Sequence, residues 1–177
     1  MRAAIEQHFG NCKFQHKCLC TIKSSFEFTE EHQLYIYDEK DSEQPVRIVA
    51  SNEDLQLTVN NQNGKLICLT KTDNCLLTDD TRKCDCILFD DEKLFFVEIK
   101  SVSKSGRNKS RKSAIEQLAI TVNLLKARID ISAFTVTAII CFKSFEPRII
   151  NASANTARAE FLENYKVRLE EMNFIEF

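Results

Sequence analysis

The stretch KCDCILFDDEKLFFVEIKS, Lys83 to Ser101, decides how the chain is read. Cys84–Phe89 and Leu94–Lys100 are largely apolar, and the residues between them are polar. That pattern predicts a β-hairpin. Three charges nevertheless stand inside the apolar runs: Asp85, Glu98 and Lys100. With the turn centred between Asp91 and Glu92, cross-strand partners carry numbers that sum to 183. Asp85 then lies opposite Glu98, and directly opposed residues hold their Cβ atoms about 4.5–5.5 Å apart. Lys100, two residues further on, points to the same face. A slip of one residue would put Asp85 on the other face.

Two carboxylates so close repel each other, and in a low-dielectric setting one of them takes up a proton. A divalent cation between them removes that conflict. Mg²⁺ is typically held by one or two carboxylates, water and phosphate oxygens. A lysine beside it can orient an attacking water or stabilise charge on a phosphate. The alternative is a surface hairpin edge with a Glu–Lys ion pair, which would contribute little.

Immediately downstream, KSVSKSGRNKSRK carries Lys100, Lys104, Arg107, Lys109, Arg111 and Lys112 and no acid. It leads into a predicted helix, Ser110–Ala127, with Ile115, Leu118, Val122 and Leu125 as its apolar stripe. Unpaired N–H groups at a helix start favour anions. Beside a metal site, the basic run reads as a clamp on a phosphate backbone, which positions a substrate without reading sequence. Standing alone it would be a solvated loop.

Further out, Phe134–Phe142 predicts a strand buried on both faces. Asn155–Met172 predicts a helix with Asn155 as its N-cap and Phe161, Tyr165, Leu169 and Met172 as its stripe. The tail FIEF (174–177) is either core or a subunit contact. Upstream, Lys65–Lys71, Val46–Val49 and the alternating Gln33–Tyr37 read as strands, and 61–64 as a turn. Ser51–Val59 fits either a short helix or a strand. The order of strand, strand hairpin, helix, strand and helix implies an α/β (α+β) fold: a mixed central sheet flanked by helices. Residues 1–59 form an N-terminal β-rich region containing Cys and His, and 60–177 the core, expected as one compact unit.

Asp85, then Glu98-Ile99-Lys100 at the end of the next strand, with Gln117 in AIEQLAITV on the helix after it, resembles the PD-(D/E)XK nuclease superfamily over roughly residues 65–142. The resemblance implies a restriction-endonuclease-like core with Asp85 and Glu98 as metal ligands and the Ile99 carbonyl as a third. It also implies that Lys100 positions or activates water and that Gln117 supports the site. The cofactor would be Mg²⁺ or Mn²⁺. The activity would be endonucleolytic hydrolysis of nucleic acid, DNA ahead of RNA, in defence or genome maintenance by analogy alone. Cys84 stands where the family name has proline. Asp79 and Asp80 compete for the first carboxylate role, and Glu53 is a candidate for the acid that many members supply from their first helix. The alternative is a catalytically inactive binding or scaffold subunit of a larger assembly. A homodimer would let two sites cut two strands.

Composition narrows the rest. The 177 residues suffice for one domain. The net charge of −2 gives no global basic field to draw nucleic acid. MRAAIEQHFGNC lacks a signal-peptide pattern, and no run of about 18 apolar residues occurs. A cytoplasmic protein without membrane contact is therefore expected. Its 8 cysteines are then expected as reduced thiols, mostly buried as small hydrophobes. Cys12, His16, Cys18 and Cys20 could form a zinc site, although they lack the usual Cys-x-x-Cys pairing. No Ser-His-Asp or Cys-His signature appears.

Overall fold

The computed structural model describes residues 1–12, 24–39, 44–49, 56–77, 82–102, 106–142 and 152–177. These form helices α1 (Arg2–Phe9), α2 (Arg107–Lys126) and α3 (Ala152–Tyr165). The first five strands are β1 (Phe26–Thr29), β2 (Gln33–Tyr37), β3 (Arg47–Val49), β4 (Leu57–Asn60) and β5 (Ile67–Lys71). The others are β6 (Cys86–Phe89), β7 (Lys93–Lys100), β8 (Thr135–Phe142), β9 (Arg168–Glu171) and β10 (Phe174–Glu176).

The hairpin stretch builds the centre. β6 and β7 pair antiparallel, Cys86 opposite Val97 and Phe89 opposite Leu94, which is the register expected from the turn. They belong to a six-stranded sheet of order β1-β5-β6-β7-β8-β9. Pairing is antiparallel as far as β7 and parallel from β7 through β8 to β9. A parallel neighbour needs a crossover, and α2 supplies it between β7 and β8. The second sheet has order β10-β4-β2-β3, with β10 parallel to β4. The fold is thus α+β with mixed sheets, as the element order implied.

Alternation on the central strands sends side chains into two cores. On one face Ile87, Leu94, Phe96, Ile140 and Phe142 pack with Leu118, Val122 and Leu125 of α2, and with α1 and α3. On the other, Leu88, Val97, Ile99 and Cys141 pack against Leu34, Ile36, Leu57 and Val59 of the four-stranded sheet. Both faces being covered explains why these strands read as unbroken apolar runs. Each fully buried Leu, Ile or Phe contributes about 1.5–3 kcal/mol.

Several expectations need correction. Helix α2 begins at Arg107, not Ser110, so part of the basic run is helical, with Gly106 before it. Arg2–Phe9, inside the region expected to be β-rich, is a helix. The C-terminal helix starts at Ala152, which places Asn155 inside it rather than at its cap, and it stops at Tyr165. Lys166 then turns to positive φ (53°) while its N–H bonds Leu162 O at 2.9 Å. Leu169, expected in the helix, lies on β9 opposite Ala138, and Met172 follows β9. The spacing misled because Phe161 and Leu169 enter the same core either way. The tail is core: β10 lies beside β4, and the Phe177 ring meets Phe95 edge-on at 5.2 Å.

Both sheets draw strands from either side of residue 60: β1 sits in the six-stranded sheet and β10 in the four-stranded one. Cys12, Cys68, Cys75, Cys84, Cys86 and Cys141 are buried free thiols. Among the described residues no helix is long and apolar enough to cross a membrane.

Candidate active site

Asp85 lies one residue before β6 and extends the hairpin ladder, its N–H bonding Val97 O at 3.1 Å. Its Oδ2 accepts the Ile99 N–H at 2.6 Å. Glu98 and Lys100 fall on the α2 side of β7, in line with Leu94 and Phe96. Glu98 is 0 % exposed. Its Oε1 meets the Lys100 ammonium in an ion pair, and Oε2 has no hydrogen-bond donor among the described residues. Lys100 Nζ also donates to Gln117 Oε1 at 3.0 Å. Asp85, Glu98, Lys100 and Gln117 are thereby brought together from three elements. Ile99 contributes its N–H to Asp85, while its side chain packs into the opposite core.

The segment carrying Asp85 is held on both sides. From α2, Gln117 Nε2 donates to Lys83 O at 3.0 Å, and Thr121 Oγ1 accepts the Cys84 N–H at 2.8 Å. From an irregular turn over Thr72–Leu76, the N–H groups of Thr72 and Asp73 donate to Asp85 O at 3.1 and 3.3 Å. Thr72 Oγ1 donates to Cys84 O. Asn74 supplies the positive φ (53°) this turn needs, a conformation Asn tolerates better than most residues. Cys84 therefore packs on the α2 side, because it precedes the pleat of β6 and its N–H is drawn to Thr121. Cys86 does face the opposite core.

Burial pushes the Glu98 carboxyl up to about 7; the Lys100 charge opposes this, and Asp73 and Asp38 add to it. Burial, then the charges of Glu98 and Asp38, hold Asp85 well above the ordinary carboxylate range, against the pull of the Ile99 N–H and Lys100. Burial alone would lower Lys100, but the charge and hydrogen bond of Glu98 raise it.

Asp38 and Asp73 are the site residues that sequence reasoning missed. Asp38 follows β2, and its backbone is gripped by Gln56, which accepts its N–H at 2.6 Å and donates to its carbonyl at 2.8 Å. Burial, then the Asp73 charge, pushes its carboxyl up to about 6 despite Lys100. Asp73 pairs with Lys83 at 3.2 Å. Their only signal in the sequence is a strand end and a polar turn, with nothing to say that either lies near the hairpin.

The oxygen-only donor set suits a hard cation such as Mg²⁺ or Mn²⁺. A buried carboxylate oxygen without a donor is costly, and four carboxylates here (Asp38, Asp73, Asp85, Glu98) face two ammonium groups (Lys83, Lys100). A cation is therefore accommodated in charge. In geometry, no three His, Cys, Asp or Glu side chains among the described residues stand close enough to hold a metal as they are, and the Lys100 ammonium occupies the place beside Glu98.

The basic run divides. Arg107 and Arg111 are buried over the Phe142 ring at 5.4 and 6.0 Å. Arg111 also holds Glu171 through both ends of its guanidinium, Nη2 to Oε2 at 3.1 Å. Lys109 and Lys112 are exposed. Lys104, His16, Cys18, Cys20, Glu53, Asp79 and Asp80 lie outside the described residues.

No protein-family model matches the chain, no curated protein matches it, and no solved structure matches it. The resemblance to PD-(D/E)XK nucleases therefore rests on Asp85, Glu98, Ile99, Lys100 and Gln117 themselves.

Proposed function

We propose that the chain is a Mg²⁺- or Mn²⁺-dependent nuclease that hydrolyses phosphodiester bonds, with DNA as the expected substrate. The observation that carries this reading is the convergence of Asp85, Glu98, Lys100 and Gln117 on one face of the central sheet, with a buried Glu98 oxygen that lacks a donor. Asp85 and Glu98 would hold the cation. When bound, such a cation supplies charge stabilisation at the phosphate and acidifies a water. Lys100, steadied by Gln117, orients that water or meets developing phosphate charge. Lys109 and Lys112, exposed near the start of α2, offer contacts to the phosphate backbone.

A binding or scaffold role is the second reading. It is favoured by the Lys100 ammonium, which already compensates Glu98 without a metal. The test is cleavage of plasmid, linear duplex, single-stranded DNA and RNA with Mg²⁺ and then Mn²⁺, with Glu98→Gln and Lys100→Ala alongside. Metal-dependent cleavage lost in both variants is the expected result. No cleavage by folded wild type on any substrate, and no Mn²⁺ binding that Glu98→Gln abolishes, would overturn it in favour of the scaffold reading.

A further inference from the structure

At the other end of the sheet, where β8 begins and α2 and α3 end, lies a cavity of about 530 Å³. This volume is typical of small-molecule sites. Its apolar wall includes Ile129, Phe134 and Val136; among the described residues its charged wall is Lys126, Arg128 and Lys166, with Asp130 as the one acid. The position is remote from the candidate active site: Gln117 and Lys126 are separated by about 14 Å at 1.5 Å rise per residue along α2.

Helix ends account for part of this charge. Lys126 Nζ donates to Tyr165 O at 2.8 Å, so it serves the end of α3. Arg128 donates to His8 O at 3.2 Å and lies over the Phe9 ring at 5.0 Å. Each helix C-terminus carries roughly half a negative charge. Three cations against Asp130 and the ends of α1, α2 and α3 still leave a net positive charge of roughly one half. Lysine and guanidinium groups also have more donors than these single bonds use.

Lys166 adds a second observation. It holds φ 53°, where glycine is the favoured residue at a helix end. A lysine there accepts backbone strain, and its ammonium has no ion-pair partner among the described residues.

We infer that this cavity binds a small organic monoanion: an apolar, ring-sized body seated on Phe134 and Val136, with one anionic group at Lys166 and Arg128. The inference is independent of the proposed nuclease activity.

The probe is 8-anilinonaphthalene-1-sulfonate, an aromatic body with one sulfonate. Its neutral counterpart, N-phenyl-1-naphthylamine, is the control. Fluorescence titration and calorimetry on the full chain should give one saturable site for the sulfonate, at least tenfold tighter than the neutral dye. Lys166→Gly should weaken the sulfonate at least about tenfold, the loss of one charge-assisted hydrogen bond. Glycine suits this backbone, so the thermal midpoint should be no lower than wild type. Arg128→Gln should weaken it in the same direction. Absence of a single saturable site, equal binding of the two dyes, or wild-type sulfonate affinity in both variants would overturn the proposal.

Discussion

Lys100 and Gln117 share a 3.0 Å hydrogen bond that ties the end of β7 to the middle of α2, and the same amide reaches back to the carbonyl of Lys83 at 3.0 Å. One side chain therefore spaces the ammonium relative to the segment that presents Asp85. Gln117→Ala should lower the cleavage rate about 10- to 100-fold, the scale on which outer supporting partners of metal sites act. The fold should survive, because the lost bonds contribute only about 1 kcal/mol each. Gln117→Glu keeps an acceptor for Lys100 but loses the donor to Lys83, and should fall between the two. Rate and thermal midpoint, measured on the same preparations, separate this from simple unfolding.

The pH dependence of stability has a definite sign. Glu98 is raised from 4.5 to about 7 in the folded chain, chiefly by burial. Between those values the unfolded chain has released its proton and the folded chain retains it. Stability must then fall as pH rises through that window, by on the order of 3 kcal/mol from this group. Asp85 and Asp38 are raised as well and act in the same direction. In metal-free buffer, thermal midpoints from pH 4.5 to 8 should decline more steeply for wild type than for Glu98→Gln. Identical slopes would show that Glu98 titrates normally. Mn²⁺ should restore stability most strongly at the upper end of the range, where the carboxylates are ionised, by binding the folded state.

Thr121 and Thr72 act on Asp85 through the backbone. Thr121→Val leaves the buried Cys84 N–H without its acceptor, at a cost of about 1–3 kcal/mol. Thr121→Ser should recover most of that stability and most of the cleavage rate. Denaturant unfolding at constant slope, paired with single-turnover rates, would check both. A serine variant as impaired as valine would mean that the methyl group, not the hydroxyl, matters.

Arginines and lysines of the basic run should respond in opposite ways. Arg111→Ala removes the two guanidinium hydrogen bonds to the Glu171 carboxylate and should cost about 1.5–3 kcal/mol. Lys109→Ala and Lys112→Ala should leave the midpoint unchanged, and each should reduce the salt slope of DNA binding by about 0.9. Binding isotherms at several salt concentrations decide this. An unchanged slope in the double lysine variant would place the phosphate contacts elsewhere.

The hairpin was legible because its information is local. The turn fixes the register of β6 and β7, and the register fixes which charges share a face, so the sequence alone groups Asp85, Glu98 and Lys100. Gln117 followed from the resemblance. Asp38 and Asp73 could not be found this way. Their nearness to Glu98 depends on how a second sheet and an irregular turn sit against the hairpin end, and neither leaves a periodic trace. The C-terminal helix was overextended for a related reason. Phe161, Tyr165 and Leu169 keep helical spacing, and only the ladder with β8 reveals the switch to strand. The inward turn of Arg107 and Arg111 was equally hidden, since a run of basic residues does not reveal which members find an aromatic ring or a buried glutamate.

The pairing of β10 with β4 sets Ile175 beside Val59, across most of the chain's length. Such a contact closes a very long loop, and loop closure of this kind slows folding. Until Phe174–Phe177 arrives, β4 has β2 on one side alone, and the sheet beneath the hairpin stays open along its other edge. Docking of Phe174–Glu176 therefore decides when the open edge of β4 becomes safe from association with other chains.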